Sequence, residues 1–586
     1  MNRHPVIVGT LILTATGFLC RILGFFYRIF LSRTIGAQGL GLYQMIFPIH
    51  GIAFALCAGS IQTAVSQLVA AGASRGRSVL RAGLFISLSI SAALTAAIFT
   101  FREFLAAQIL LEPACAPLLP IMALSIPFSA VHACICGYYY GLKKTKVPAL
   151  SQVAEQLVRM AFALFTAHIC MEQGREITVS LAVWALLMGE AASAVCCLLA
   201  LGCARERADE TGGGGAAAVP GNTEIPGDGA KAKVAAADKD AATTKGTASG
   251  KDDAAGKGIA ADKDTVTDKD KDTATDKDAA TDKNTAATIK AAAPPVPEKK
   301  RFLLTASALM ALALPLMGSR LILNILQSLE AIFIPNRLTV WGLSGPEALS
   351  VYGILTGMAL PFILFPSAIT NSLAVMLLPS VAEAQAAGDG ARIRRSVETA
   401  VRYSLYMGIL CVGIFTVFGN PLGRIVFHSP DAGSFIVTLA WLCPFMYLAT
   451  TMGSILNGLG ETKTTFTLNA VSMLLRLAFA VFLIPIFGIA ACLWGMLISE
   501  MLLALLCALA LKRRIHFSIN AASSIAKPIL CLAAAVGILL AMAPLWQRLS
   551  RPMAGGNGAS EFLLICVQAA ALCAAYAGML ALLHKN

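Results

Sequence analysis

Several ionisable side chains stand inside stretches of sequence otherwise apolar enough to cross a membrane. In residues 20–33, CRILGFFYRIFLSR, Arg21 and Arg28 are seven residues apart, two turns of helix, so both look to one side. In residues 319–333, SRLILNILQSLEAIF, spacings of four, three and three between Arg320, Asn324, Gln327 and Glu330 draw one polar stripe down an apolar helix. Residues 152–159 add Gln152, Glu155, Gln156 and Arg159, with Glu155 and Arg159 an i,i+4 pair able to satisfy each other. Arg476 repeats the position of Arg159 in a later stretch. There Ser472 stands in the place of Glu155, so a carboxylate partner must come from another helix. A charge at the bilayer centre costs on the order of a few kcal/mol and normally faces an aqueous cavity and a partner. Guanidinium groups bind phosphate with bidentate geometry, and carboxylates beside them temper the charge or exchange protons. The expected substrate cavity is therefore lined by Arg21, Arg28, Arg320, Asn324, Gln327, Glu330, Glu155, Arg159 and Arg476. Arg33 and Arg337, near the ends of their stretches, are expected to snorkel to head groups.

The elements that carry these side chains must be membrane helices. The chain is 57% hydrophobic and 13% charged, with a mean hydropathy of +0.72, far from the balance of a soluble domain. Apolar stretches of spanning length are read at 7–33, 41–70, 81–100, 115–141, 148–171, 177–203, 303–335, 349–384, 397–418, 435–458, 465–486, 488–511, 524–546 and 561–583. An internal repeat organises them. Residues 141–165 and 458–482 are identical at ten of 25 positions, including Arg159/Arg476. A second register pairs Gly36, Leu40 and Tyr43 with Gly345, Leu349 and Tyr352. The expectation is an all-α polytopic protein of about fourteen spans in two parallel-repeat lobes related by an axis along the membrane normal. Six spans fall in 1–203 and six in 301–511, with two more in 512–586. Gly24, Pro48, Pro361 and Pro366 read as bends or close-packing points in long helices.

Basic residues mark one side. They gather at Arg3, at Arg75, Arg77 and Arg81, at Lys143, Lys144 and Lys146, at Arg392, Arg394 and Arg395, and at Lys512, Arg513 and Arg514. With fourteen spans these loops share a face, which predicts cytoplasmic N- and C-termini in the cell membrane. Residues 204–300 differ in kind, with runs such as DKDTVTDKDKDTATDKDAATDK; nothing there builds a core, and a disordered cytoplasmic linker is expected. The sixteen cysteines lie mostly within spans and read as small apolar packing groups; none forms a zinc spacing with histidine, so no metal is expected. The chain carries no phosphate-binding G-x-x-x-x-G-K-[ST] loop, no H-E-x-x-H and no G-x-S-x-G, which argues for binding and movement rather than catalysis.

Residues 9–49 and 328–386 resemble the first two helices and the seventh and eighth helices of the stage V sporulation protein B family. GYYYGLKKTKVPALSQVAEQLVR is similar to its turn between helices 4 and 5. That family lies beside the lipid II flippase MurJ in the multidrug/oligosaccharidyl-lipid/polysaccharide exporter superfamily. The resemblance implies a V-shaped pair of helical lobes that moves an undecaprenyl-diphosphate-linked glycan across the membrane by alternating access. Arg21 carries over onto the flippase branch's first-helix arginine. Arg28 stands one residue beyond the second, and the eighth helix lacks that branch's arginine, a charge that Arg320 and Arg337 replace in this reading. The implied partners are the glycan lipid, membrane lipids and cell-wall synthases, with the chain a monomer, no cofactor and no nucleic acid, and with coupling to protons, sodium or membrane potential left open. A cation-coupled multidrug exporter of the same superfamily and a non-transporting scaffold of cell-wall synthesis are the other readings.

Overall fold

The computed structural model describes residues 5–72, 76–211, 298–515, 522–544 and 558–585. Its apolar runs close their backbone hydrogen bonds within helices, as a chain in hydrocarbon must, and there is no strand among the described residues. The first half consists of α1 (Pro5–Thr34), α2 (Gly36–Ala70), α3 (Gly76–Thr100), α4 (Leu118–Gly141), α5 (Lys146–Glu172) and α6 (Ser180–Thr211). The second half begins with α7 (Glu298–Trp341) and α8, which has two stretches, Gly345–Leu364 and Ser367–Ala386. Then follow α9 (Gly390–Phe427), α10 (Pro430–Gly458), α11 (Thr462–Phe487) and α12 (Ile489–Arg514), with α13 (Ala522–Ala541) and α14 (Gly558–Lys585) beyond.

Among the described residues fifteen stretches are long and apolar enough to span, one more than the sequence predicts, and α8 accounts for the difference. Phe365 and Pro366, between its stretches, keep right-handed helical dihedrals (φ −58, ψ −48 and φ −67, ψ −18). A chain that stays in that region bends without reversing, so α8 is one broken helix and the described residues make fourteen passes. Pro366 cannot donate to the helical ladder, which places the break there. α6 also runs past the predicted end at 203, and α7 begins before 303 and passes through Pro335 to Trp341. The rest of the predicted linker, 212–297, lies outside the described residues.

The halves meet through two antiparallel helix pairs. Along α1 and α8, Arg21 faces Ser367, Phe25 stacks edgewise on Phe362, and Arg28 faces Thr356. Along α7 and α2, Ser328 bonds the Pro48 carbonyl, Asn324 sits against Gly51, and Arg320 bonds Thr63. Since α1 corresponds to α7 and α2 to α8 in the repeat, each pair is the image of the other, as a two-fold axis requires. The start of α7 continues into the first half, where Leu309, Ala313 and Met317 share a core with Ile61, Val65 and Leu80.

One end of this interface is sealed backbone to backbone. A Cβ at Gly41 of α2 would overlap the Leu349 carbonyl of α8, and one at Gly353 would overlap the Ala37 carbonyl. Only glycine permits that approach. Arg33 closes the same end. Its Nε and Nη2 donate to the carbonyls of Val426 (3.0 Å) and Ile425 (2.9 Å), which lack intrahelical partners at the C-terminus of α9. Arg33, exposed at the end of α1 where snorkelling is expected, thus also caps a helix of the other half.

Candidate functional site

The predicted site separates into two kinds of charge. Arg159 and Arg476 are neutralised. In the first half, Arg159 Nη2 meets Glu155 Oε1 at 2.6 Å on its own helix and Glu190 Oε1 of α6 at 3.8 Å. Gly189 makes room for this. A Cβ there would stand 3.0 Å from the Glu155 carbonyl and 3.1 Å from Arg159 Nε. In the second half, Arg476 Nη2 meets Glu330 Oε2 of α7 at 2.7 Å, and Glu500 of α12 adds a second negative charge in electrostatic reach. Ser472, where Glu155 would be, instead bonds the Ser499 carbonyl of α12.

Glu190 and Glu500 are absent from the residues predicted for the site, although the sequence marks them. Each lies six residues after a tryptophan, Trp184 and Trp494, with Leu187 and Leu497 also matched. The register on Gly36/Gly345 explains the different partners. It sets Arg28 opposite Arg337 and Arg21 opposite Glu330, so one position carries opposite charge in the two halves. Where that position holds Glu330, it pairs with the arginine of the fifth helix of its half. Where it holds Arg21 it cannot, and Arg159 takes Glu155 from its own helix.

Arg21, Arg28 and Arg320 are the other kind. Among the described residues no carboxylate lies within ion-pair distance of them. Arg21 Nη1 donates to Ser367 Oγ (3.0 Å), Arg28 Nη1 to the Thr356 carbonyl (3.3 Å), and Arg320 Nη2 to Thr63 Oγ1 (3.0 Å). All three reach from one half to the other. Arg337 lies over the Phe333 ring, 5.5 Å from its centroid.

Between α2, α7, α8, α10, α11 and α12 lies a cavity of about 410 Å³. It takes Asn324, Gln327, Glu330 and Arg476 of the predicted set, together with Glu500, while Arg21, Arg28, Arg320, Glu155 and Arg159 stand outside its lining. Gln327 and Glu330 do share a wall, as their spacing on one helix face predicts. All sixteen cysteines are free. His132 of α4 does approach Cys136 and Cys197, whose sulfurs are 3.9 Å apart, a convergence that spacing along the chain could not show.

Residues 6–207 match the family described as "Polysaccharide biosynthesis protein", and residues 320–482 match MatE. The chain is 24% identical over 529 residues to stage V sporulation protein B of Bacillus subtilis (strain 168), covering 89% of this chain and 86% of that protein. Its fold is similar to the lipid II flippase MurJ in an inward closed conformation (TM-score 0.63, 12% identity, 98% of this chain and 99% of that one). It is also similar to an inward-facing multidrug resistance MATE family transporter of the MOP superfamily (TM-score 0.57, 13% identity, 87% of this chain and 98% of that one). With both halves matched, most of the length aligned to a sporulation protein and one fold shared with a flippase and a drug carrier, the chain is a multi-pass membrane protein similar to members of the multidrug/oligosaccharidyl-lipid/polysaccharide exporter superfamily.

Proposed function

We propose that this protein is a transporter, a flippase for an undecaprenyl-diphosphate-linked glycan (a peptidoglycan, spore-cortex or polysaccharide precursor), working by alternating access. The observation that carries the reading is the set of three arginines without carboxylates, each donating across the boundary between the halves. Each phosphorus of such a lipid carries one ester and the shared anhydride oxygen, so the lipid brings two fixed negative charges into a low-dielectric core. Guanidinium groups answer them with charge and bidentate geometry. Their present partners are weak. A serine hydroxyl, a threonine hydroxyl and one carbonyl can be exchanged for phosphate oxygens without breaking an ion pair. A carrier of cationic drugs would gain nothing from positive charge there. In this reading the loops rich in Lys and Arg are cytoplasmic, which makes the end sealed at Gly41 and Gly353 the outer one. Glycan lipid and surrounding lipid are the expected partners, and cell-wall synthases would act on the product.

The test is exposure of lipid II at the outer face of cells depleted of their own flippase. The parent chain is expected to restore it, and Arg21→Ala and Arg320→Ala, present at parental level, to lose at least tenfold. Failure of the membrane-inserted parent would remove lipid II as cargo. Rescue by both variants would remove the arginines as its site.

A further inference from the structure

No zinc spacing runs along the chain, but three helices of the first half bring four donor side chains together. His132 and Cys136 are four residues apart on α4, so they share a face. Cys197 of α6 lies 3.9 Å from Cys136, sulfur to sulfur, and an imidazole nitrogen of His132 is within 4.8 Å of both sulfurs. Ser151 of α5 completes the group. Its Oγ is 3.0 Å from His132 Nε2 and 3.8 Å from Cys136 Sγ. The hydroxyl donates its proton to the Pro148 carbonyl at 3.0 Å, so the oxygen is left with lone pairs for the histidine and thiol side.

These separations suit a tetrahedral metal. With bonds of about 2.3 Å to sulfur and about 2.0–2.2 Å to nitrogen or oxygen, neighbouring donors around zinc stand about 3.4–3.8 Å apart. The observed 3.0, 3.8 and 3.9 Å fall within about half an ångström of those edges. Charge favours a divalent ion. With two thiolates, a neutral imidazole and a hydroxyl it makes a group of no net charge, the least costly way to hold an ion among membrane helices. A monovalent cation would leave one negative charge over. Glu155 and Glu190 each bring a carboxylate oxygen within 4.8 Å of a His132 nitrogen, the kind of outer partner that orients a metal-bound imidazole. Packing alone does not call for this set. The registers on Gly141/Gly458 and Trp184/Trp494 place Ala449, Gly453, Leu468 and Cys507 at the corresponding positions of the second half, which closes with one thiol and no other donor side chain.

We propose that His132, Cys136 and Cys197, with Ser151 as the fourth donor, form a binding site for a soft divalent cation of the zinc class that clasps α4, α5 and α6 together. Binding exchanges two thiol protons for the cation: Zn²⁺ and two S–H groups give a neutral dithiolate, and two protons pass to water. Cys136 stands five residues before Gly141, the end of α4, about 7–8 Å along the helix. The basic loop with Lys143, Lys144 and Lys146 follows. In the orientation given above that end is cytoplasmic, where thiols are kept reduced and free to ligate. His132 is half-buried, and Cys136, Cys197 and Ser151 are buried, so the imidazole is the open corner of the site. The inference stands apart from the identity of any transported substrate.

The test uses the tag-free full chain in nanodiscs, reduced and stripped of metal with a chelator. Zn²⁺ is titrated against a chromogenic chelator, and Co²⁺ serves as a spectroscopic probe. The parent is expected to bind one Zn²⁺ per chain, and Co²⁺ to show thiolate-to-metal charge-transfer absorption that Zn²⁺ abolishes. Cys136→Ala and Cys197→Ala are each expected to weaken Zn²⁺ binding at least about tenfold, the least that loss of even an outer partner costs, and to lose that absorption. Two thiol variants guard against one failing to fold. Cys134→Ala, which removes a thiol of the same helix outside the set, is expected to bind as the parent does. A parent that holds no stoichiometric Zn²⁺ overturns the proposal. Zn²⁺ bound without thiolate absorption from Co²⁺, binding retained in both thiol variants, or equal weakening in Cys134→Ala overturns the assignment to these residues.

Discussion

At the scale of single residues, the division between paired and unpaired arginines organises the molecule. Glu330 is buried and holds Arg476 at 2.7 Å, while Glu500 is in electrostatic reach without an ion pair among the described contacts. Removing one partner of a buried pair leaves an uncompensated charge, at a cost of about 3–5 kcal/mol. Glu330→Gln is therefore expected to lower the thermal unfolding midpoint of the purified protein well below that of Glu500→Gln; equal midpoints would mean that Glu500 neutralises Arg476 as effectively. The arginines themselves were legible as sequence, because an ionisable residue inside an apolar run stands out whatever surrounds it. Their partners were not. Glu330 lies 146 positions from Arg476, and only the packing of α7 against α11 joins them. Glu190 and Glu500 carried a signal, the shared tryptophan six residues before each. That signal lies in a register shifted by a longer loop between α5 and α6, outside the repeat that was read.

At the scale of elements, the contact of α2 with α8 through Gly41 and Gly353 acts as a latch. Gly41→Val puts a branched side chain where the Leu349 carbonyl lies, so the sealed end is expected to be destabilised and the population shifted toward a state open there. Spin labels introduced as unnatural amino acids at exposed Gln38 and Glu347 should then report a longer distance in the variant than in the parent. An unchanged distance would mean that the seal is held elsewhere, with Arg33 and its α9 carbonyls the next place to look. Helix number and helix faces followed from hydropathy and spacing. The break of α8 was half visible, since Pro366 marks it, but whether a proline bends a span or ends it depends on the dihedrals that packing allows.

At the scale of the whole molecule, residues 205–300 hold 16 basic and 18 acidic side chains and almost no large apolar ones, a composition that predicts no membrane span. Replacing 212–297 with a short flexible linker is expected to leave flipping activity within about twofold; a complete loss would assign this segment a role in transport. The two halves are also joined by α7, whose first turns pack among helices of the first half while Glu330 reaches into the second. A boundary drawn at residue 300 is thus a boundary of the chain and not of the packing. The sequence by itself determined that the protein is a membrane-spanning helical array, that it is built twice, and that arginines lie within the spans. Local composition and internal repetition carry those facts, and neither depends on how distant helices meet. Only the tertiary structure decided which arginines are neutralised and which stay unpaired at the interface, and which end is sealed. A charge is balanced or left over according to its spatial neighbours, and here those come from helices far apart in the chain.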